Sequence, residues 1–349
     1  MKTILWWGRF DSKYSRNGVL RKLLRELGYQ INDFHPIFSR FADLEASLRG
    51  LTPPDFVWVP CFRQRDVLAA CRWAKNKNIP LIFDPLISAW DKQVFERNKF
   101  DNNSYAAIKL LKQEQKQFRC ADTIIADTKE HAAFFNTAFM VPTENIKVIH
   151  VGADESIFQT GKQHKAQSNR FEVLFYGSFI NLQGPLTIIH AARSCEDKTI
   201  QWHLLGRGPL LDQCKTLAEA QSNIVFEDWV DYKTLPSRIH QADVLLGVFG
   251  SSEKAGRVIP NKVYQSMACG RPVITRQSSA YPPVIRNGME SGIFQITEND
   301  PQALVDTVIK LKNIHETLPE LGKQSRLNYE EYFSNDIIKG ELQDALSGT

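Results

Sequence analysis

The sequence lacks a long apolar run and carries little net charge. No stretch approaches the roughly 20 apolar residues that cross a bilayer, so we predict no membrane-spanning helix. The opening MKTILWWGRFD has one lysine before a short apolar run, which indicates a first β-strand and not a signal peptide. The net charge is +4, with its basic excess in residues 1–160, which is too weak to indicate a nucleic-acid partner. We expect a cytoplasmic protein, with peripheral contact at the inner face of the membrane as an alternative.

Cysteine and histidine motifs are also missing. The six cysteines are scattered in or beside apolar runs, and neither C-x-x-C nor H-x-x-x-H occurs. These spacings exclude the common zinc sites, and buried single cysteines are typical of a reducing compartment. Neither half of the chain has G-x-G-x-x-G after its first strand, which disfavours a nicotinamide-dependent dehydrogenase.

Short apolar runs alternate with amphipathic helical patterns along the chain. The first series runs from TILWW at residues 3–7 to IKVIHV at 146–151, and a second runs from FEVLFYG at 171–177 to PVITR at 272–276. Such alternation predicts parallel sheets with helices on both faces. A length of 349 residues suits two domains of this kind. The predicted fold class is therefore α/β, with two Rossmann-like, doubly wound domains.

The domain boundary is predicted from a change in pattern. Residues 160–170, TGKQHKAQSNR, are polar and have no hydrophobic period, which is typical of a linker. We expect an N-terminal domain at 1–160 and a C-terminal domain at 170–330. The helical segment at 331–349 lies outside the second sheet's pattern and is a candidate to cross back to the first domain.

Two loops of the second half have the chemistry of a phosphate site. Gly177 and Ser178 follow one predicted strand, and Gly206 and Arg207 follow the next. In doubly wound sheets, ligands bind beyond the carboxyl ends of strands, where backbone N–H groups are exposed. One glycine after a strand is usually a simple turn. Their succession, together with a third loop, favours a phosphate-binding edge.

The third loop belongs to the basic segment KAGRVIPNKVYQSMACGRPVITR. Pro260 is expected at a helix start, which places Lys262 beside the positive end of the helix dipole, where a cation is unfavourable unless an anion binds. Lys254 and Arg257 precede the helix in the predicted loop. We predict that these three cations hold one or two phosphates. A solvated loop is the alternative.

The order of the motifs LFYGSF, HLLGRGP and IPNKVYQSMACGRPVI resembles the C-terminal domain of retaining GT-B glycosyltransferases of family 4. The segment VIHVGADESIF at 148–158 is similar to that family's end-of-first-domain segment. The resemblance covers most of the chain, and IPNKVYQSMACGRPVI is its most specific part. It implies two domains facing a central cleft, with a nucleotide-sugar donor in the second domain. It also implies a glycan, lipid-linked or small-molecule acceptor held mainly by the first, and no metal or other cofactor.

The sequence departs from the family pattern at the donor diphosphate. The family's usual Arg and Lys in the first loop are Ser178 and Gln183 here, and its pair of glutamates falls on Arg257 and Gln265. We predict that the three cations of 254–262 replace the missing charges, and that Gln265 offers its oxygen to a ribose hydroxyl. The same departures leave open a nucleotide-binding or regulatory subunit without turnover. A phosphorylase or epimerase of the same fold also stays open.

The first half supplies the candidates for acceptor chemistry. Asp84 ends a predicted strand in LIFDPLISAWDK, at a position where the family often has a histidine. We predict it as the catalytic carboxylate, with a turn-forming role as the alternative. Trp90 and Asp91 are predicted acceptor contacts, because aromatic rings commonly stack on sugars.

Two further features of the first half are predicted to meet ligands. Residues 14–18 are expected to form the first loop, with Arg16 and Gly18 near the donor phosphates. Lysines at helical spacing in 98–119 indicate a solvated helix face. The alternative is a basic surface for anionic lipid, which suits a lipid-linked acceptor.

Overall fold

The computed structural model describes residues 1–97, 99–161, 170–219 and 221–347. The chain forms two compact units. The first contains residues up to Gly152 together with the chain from Asn335 onward, and the second runs from Ala153 to Ser334. The predicted linker at 160–170 lies mostly outside the described residues.

The first unit is built on a six-stranded sheet in which every pair is parallel. The strand order is β2-β1-β3-β4-β5-β6. The strands are mostly continuous apolar runs because both faces are covered by helices. Their bounds are β1 Thr3–Trp7, β2 Gln30–Phe34, β3 Phe56–Val59, β4 Leu81–Phe83, β5 Thr123–Ala126 and β6 Ile146–Val148.

Helices of the first unit follow the strands in sequence. They are α1 Ser15–Glu26, α2 Ala42–Leu48, α3 Val67–Asn76, α4 Ala89–Asp91, α5 Tyr105–Cys120 and α6 Lys129–Phe139. A π-helical turn at Lys92–Glu96 continues α4. One face of the sheet packs against α3, α5 and α6, with Trp7, Trp73 and Phe118 in that core.

The second unit repeats this architecture with a sheet of order β12-β11-β10-β7-β8-β9, again parallel throughout. The strands are β7 Phe171–Ser178, β8 Ile200–Arg207, β9 Ile224–Glu227, β10 Val244–Leu246, β11 Val273–Arg276 and β12 Ile293–Ile296. The helices are α7 Pro185–Ser194, α8 Leu211–Leu217, α9 Leu235–Gln241, α10 Glu253–Arg257, α11 Asn261–Ala268, α12 Pro301–Asn313 and α13 Leu318–Tyr332.

The last helix, α14 at Asn335–Ser347, packs in the first unit. Ile338 and Leu342 are buried in one cluster with Ile4 of β1 and Leu20 of α1. The helical segment predicted at 331–349 begins within the end of α13, and α14 is separated from that helix at Phe333 and Ser334. This break lets the C-terminal residues cover the face of the first sheet that α1 also covers.

Each sheet has a topological switch point. In the first sheet the chain goes from β1 to β2 on one side and then to β3 on the other, and in the second it goes from β7 to β8 and returns to β10. Loops diverge at such a point and leave a crevice beyond the carboxyl ends of the strands. The carboxyl ends of β1 and β3, and of β7 and β10, are therefore where ligands are expected.

The predicted α/β class with two doubly wound domains is confirmed. Strand β1 has the bounds that the apolar run TILWW predicted. The sequence analysis missed β12 at the edge of the second sheet. That strand is short and follows a turn-rich segment, so its apolar residues show no clear period.

Candidate functional site

Adjacent strands of the second unit end in polar side chains. Ser178 is the last residue of β7 and Arg207 the last of β8, and the two are partners in the parallel register. Both side chains are exposed. A hydroxyl and a guanidinium therefore lie side by side at the carboxyl edge, close to the switch point.

Glycines allow a close approach just before these residues. Gly177 has φ +147°, and a Cβ there would lie 3.0 Å from Nζ of Lys262. Gly206 has φ +140°, and a Cβ there would lie 2.0 Å from the carbonyl oxygen of Gly177. Side chains rarely adopt these backbone angles and have no room here. Both predicted glycines are thus required for the packing of this edge.

The turn after β7 is held against the loop after β10. The N–H of Phe249 donates to the carbonyl of Gln183 at 3.1 Å, and the N–H of Gly250 donates to that of Leu182 at 3.2 Å. These bonds fix the turn at Asn181–Gln183. The Gln183 amide oxygen then accepts a hydrogen bond from Nζ of Lys262 at 2.6 Å.

Lys262 is the central cation of this edge. Its side chain is buried in the first turn of α11, with Nζ 3.9 Å from the centroid of the Phe175 ring. Burial lowers the pKa of its ammonium group well below the ordinary value. Within the described residues no carboxylate lies at ion-pair distance from it. A buried lysine without a counter-ion is costly, and an anionic ligand at Nζ would remove that cost.

The two other predicted cations lie in a helix, which corrects the expected loop. Lys254 and Arg257 belong to α10, because Ser252 caps that helix by accepting from the N–H of Ala255 at 3.3 Å. Lys254 is buried, and the guanidinium of Arg257 pairs with exposed Glu253 at 3.1 Å. Helix α10 packs against the turn at Asn181–Gln183. The two residues thus belong to the same edge as Lys262, while Arg257 already has a partner in its own helix.

Gln265 lies one turn after Lys262 and is buried. Its amide oxygen accepts from the hydroxyl of Tyr176 at 3.0 Å, and its amide nitrogen lies 3.5 Å from the hydroxyl of Tyr232. Burial raises the pKa of Tyr176 well above its usual value, so this hydroxyl stays a donor. The predicted ribose contact of Gln265 therefore competes with a bond inside the protein, and the sequence analysis missed Tyr176.

Two cations of the basic segment donate hydrogen bonds to backbone carbonyl groups. The guanidinium of Arg276 donates to the carbonyls of Gly250 at 2.7 Å and Ser252 at 3.0 Å, and it lies 3.1 Å from the carboxylate of Glu298. Arg271 donates to the carbonyl of His240 at 2.8 Å. Arg276 thereby positions the loop between β10 and α10.

In the first unit, Arg16 and Asp84 form a fully buried ion pair. Nε of Arg16 donates to the two carboxylate oxygens at 3.0 and 2.8 Å, and Nη1 donates to the carbonyl of Ile149 at 3.1 Å. Burial raises the pKa of Asp84 while Arg16 acts in the opposite direction. Both charged groups therefore have their hydrogen-bond partners inside the protein. This pairing disfavours the predicted roles of Asp84 as a catalytic carboxylate and of Arg16 as a phosphate contact.

Gly18 also lies elsewhere than predicted. Helix α1 begins at Ser15, and the N–H of Gly18 donates to the carbonyl of Tyr14 at 3.0 Å as part of its first turn. The side chain of Asn17 donates to the carbonyl of Asp11 at 2.8 Å and ties the helix to the preceding loop. The loop after β1 therefore ends before residue 15, and Gly18 lies in the first turn of α1, where its phosphate contact stays a prediction.

The predicted acceptor contacts belong to a packed segment. Glu114 of α5 accepts from the hydroxyl of Ser88 at 2.5 Å and from the N–H groups of Ala89 and Trp90 at 2.8 and 2.9 Å. The Trp90 ring packs edge-on to Phe95 at 5.0 Å, and Asp91 is buried. The Trp90 ring is therefore half-buried in this segment, and the predicted acceptor contacts of Trp90 and Asp91 stay predictions.

Two kinds of feature are absent from the part of the chain that the structure describes. No helix in the described ranges is long and apolar enough to cross a membrane. Among the residues that the structure describes, no cluster of three or more His, Cys, Asp or Glu could hold a metal ion.

Comparison with known proteins finds a family match within the second unit. Residues 170–313 match the family described as Glycosyl transferases group 1. The chain is 24% identical over 233 residues to D-inositol 3-phosphate glycosyltransferase of Corynebacterium efficiens, covering 61% of this chain and 53% of the relative. It is 26% identical over 238 residues to O-antigen chain mannosyltransferase C of Escherichia coli, covering 66% and 62%. The matches thus span between half and two thirds of these relatives.

Solved structures share the fold over the whole chain. HepE of Anabaena in complex with UDP has a TM-score of 0.74 at 14% identity, with both chains fully covered. Sucrose-phosphate synthase of Thermosynechococcus elongatus has a TM-score of 0.75 at 15% identity, with 99% and 98% of the chains covered. The likeness supports the GT-B architecture of two doubly wound domains.

Proposed function

We propose that this protein is a glycosyltransferase that moves a sugar from a nucleotide-sugar to an acceptor hydroxyl with retention. The observation that carries the proposal is Lys262, a buried cation without a carboxylate partner in the described residues, placed against Gly177 and Gln183. A phosphate is the ligand that a cation at a helix start and glycine-rich strand ends favour. The family match at 170–313 includes all of these residues.

The edge of the second unit suits stabilisation of a leaving phosphate. In the proposed reaction the bond between the sugar's anomeric carbon and the phosphate oxygen breaks, and negative charge grows on that oxygen. The buried Lys262 and the exposed Arg207 would neutralise this charge, while Ser178 donates a hydrogen bond. Rate enhancement would come from positioning and electrostatics, without a strong base.

We propose a uridine nucleotide as the donor to test first. HepE, which shares the fold, has been solved with UDP and with UDP-glucose. The two curated relatives are named for an inositol phosphate acceptor and an O-antigen chain. A glycan or lipid-linked acceptor, with peripheral contact of the enzyme at a membrane surface, is the matching proposal here. No metal or other cofactor is proposed.

One observation favours a second candidate, a nucleotide-binding subunit without turnover. The residues at the family's glutamate positions are already engaged, since Arg257 pairs with Glu253 and Gln265 accepts from Tyr176. A site built in this way would bind the diphosphate and lack carboxylates for the sugar and ribose.

A nucleotide screen tests the proposal and separates the two candidates. The melting temperature of the protein is measured with UDP, GDP, ADP, dTDP and CMP, because a ligand that binds the folded state raises it. We expect one nucleoside diphosphate to stabilise the wild type and to lose its effect in Lys262→Met. The control is Lys215→Met, an exposed lysine in the last turn of α8.

Turnover is measured with the sugar derivative of the stabilising nucleotide. Release of the nucleotide in the presence of an acceptor extract supports the transferase. Binding without release under any condition favours the subunit, and the absence of stabilisation by every nucleotide contradicts both.

A further inference from the structure

A cavity of about 520 Å³ lies within the first unit. It opens beyond the carboxyl ends of β3 and β4, which is the edge of a doubly wound sheet where ligands bind. Its walls come from the loop after β3, from α4 and its π-helical continuation, from residues 99–100 and from α5. The lining residues used below are Phe62, Arg63, Arg65, Gln93, Lys99 and Phe100.

The backbone around this cavity is unusual at two places. Phe62 has φ +64°, which is a strained conformation for a bulky side chain. Its ring is partly exposed and packs edge-on to Tyr14 at 4.9 Å, so the loops after β1 and β3 meet at the switch point. The π-helical turn at Lys92–Glu96 forms another wall. Strain and π-helical turns are concentrated at functional sites, and here both line the same cavity.

The charge available to a ligand in the cavity is positive. Arg63 is neutralised by buried Asp66 at 2.5 Å, and the Glu114 carboxylate is occupied by the three donors of 88–90. Arg65 and Lys99 are exposed, and no carboxylate in the described ranges pairs with either of them. Two cations therefore line the cavity without a carboxylate partner among the described residues.

The remaining lining suits a sugar or another polyol. The rings of Phe62 and Phe100 line the cavity, and the Lys99 ammonium group lies 5.6 Å from the centroid of the Phe100 ring. The side-chain oxygen of Gln93 is buried and accepts no hydrogen bond from any described residue. A ligand hydroxyl would satisfy this oxygen, because an unmade hydrogen bond at a buried acceptor is costly.

We infer that this cavity binds the acceptor and that the acceptor carries a phosphate group, which lies between Arg65 and Lys99. The inference rests on the proposed function and adds the chemical class of the acceptor. Hydroxyl groups of the acceptor would meet Gln93, and its carbon skeleton would lie against Phe62 and Phe100. An anion held by two cations forms charge-assisted hydrogen bonds, which are roughly twice as strong as neutral ones.

The phosphate has two chemical sources, a soluble phosphorylated polyol and a lipid headgroup. The lipid source is worth testing because the turn at Ser39–Phe41 packs against the turn at Gln64–Asp66 beside the cavity. Its neighbourhood exposes large apolar side chains, namely Ile37, Phe38, Phe41, Leu44 and Leu48. Such a surface would contact acyl chains if the phosphate belonged to a lipid.

Binding is measured by calorimetry on the full chain with UDP at saturation, so that the proposed donor site is already filled. The soluble probes are glycerol 3-phosphate and glucose 6-phosphate, each compared with its unphosphorylated counterpart. The lipid probe is sedimentation with phosphatidylcholine vesicles that do or do not contain phosphatidic acid. We expect at least one phosphorylated probe to bind about tenfold more tightly than its neutral counterpart.

The double variant Arg65→Gln, Lys99→Gln should lose this preference while its affinity for UDP stays unchanged. The control, Lys75→Gln with Lys77→Gln, removes two exposed lysines at the opposite end of α3 and should keep the preference. Equal binding of phosphorylated and neutral probes, or a preference that survives in the double variant, overturns the inference. If UDP does not bind the wild type, the proposed function fails, and the acceptor role of the cavity fails with it.

Discussion

The two units place charges at the same edge of the same kind of sheet but treat them differently. At the carboxyl edge of the first sheet, Arg16 and Asp84 neutralise each other inside the protein. In the second unit, Lys262 is buried against Gln183 and an aromatic ring, and its pKa is lowered by burial. We infer from this difference that a buried charge with an oppositely charged partner in the protein is structural. A buried charge that the described chain does not pair is a candidate for a ligand.

The largest effect is expected from breaking the pair in the first unit. Asp84→Asn leaves the Arg16 guanidinium buried without a counter-charge, which costs about 3–5 kcal/mol of the unfolding free energy. The measurement is urea-dependent hydrogen exchange of the buried amides in β3 and β4, which reports on the first unit alone. Nucleotide affinity should change little, because no donor contact is assigned to this pair.

A matched variant sharpens this prediction. Replacing both partners, as in Arg16→Met with Asp84→Leu, removes both charges and should recover most of the lost stability. If Asp84→Asn is as stable as the wild type and impairs turnover instead, the carboxylate acts on a substrate and the structural assignment is wrong.

In the second unit, by contrast, removal of a buried charged residue is expected to raise the free energy of unfolding. Lys262→Met removes a buried polar amino group whose protonation is opposed by burial, so the ligand-free protein should gain about 1 kcal/mol of unfolding free energy. The same change should weaken nucleoside diphosphate binding by about 30- to 100-fold, since a charge-assisted hydrogen bond is worth about 2–3 kcal/mol. Thermal melts with and without nucleotide measure both effects on one sample. A destabilised variant that binds normally would make Lys262 a structural residue like Arg16.

A smaller loss of stability and of nucleotide affinity is expected at Gly177, where β7 contacts Lys262. Gly177→Ala forces a side chain into φ +147° and places its Cβ 3.0 Å from Nζ. We expect a loss of about 1–3 kcal/mol of stability from the backbone strain, together with weaker nucleotide binding because Nζ is displaced. Gly288→Ala is the control, since Gly288 also has positive φ but no atom within 4 Å of the added carbon. Equal binding losses in both variants would contradict a specific contact.

The fold was predictable from the sequence to a greater extent than the site. Apolar runs and helical periods predicted two doubly wound domains, because burial of both sheet faces leaves a pattern in the residues themselves. The pairing of Arg16 with Asp84 joins residues 68 positions apart, and no local pattern encodes it. The packing of the Trp90 ring against Phe134 and Phe139 likewise involves a helix that is distant in sequence. Predictions about ligand contacts of Ser178, Arg207, Lys254 and Arg257 stay predictions.

The smallest effect concerns pH and a histidine of the second sheet. The His203 ring lies between Glu172 and Glu227 of the neighbouring strands, with both nitrogen–oxygen distances at 2.5 Å. Burial opposes the charged ring, but the two carboxylates raise the pKa of His203 overall. Its contribution to stability is therefore fully present below pH about 6.5 and is lost as the pH rises through the raised pKa.

Glu227 shows the opposite dependence. Although burial opposes ionisation, hydrogen bonds from His203 and Arg238 lower its pKa to about 2. Its contribution is present above the ordinary pKa of a glutamate and is lost as the pH falls toward 2. Unfolding of His203→Gln and wild type is compared across this range. The variant should not lose stability as the pH rises through the pKa of His203. A pH profile equal to that of the wild type would contradict the role given to His203.

We propose that the buried Lys262 is held for the phosphates of a nucleotide. Its most direct test is calorimetry of UDP binding in two buffers of different ionisation enthalpy, repeated with Lys262→Met. Because burial lowers the lysine's pKa and an anion raises it again, binding to the wild type should take up protons and weaken as the pH rises. The variant should bind weakly and take up none. UDP binding of equal affinity and equal proton uptake in both proteins would contradict the claim.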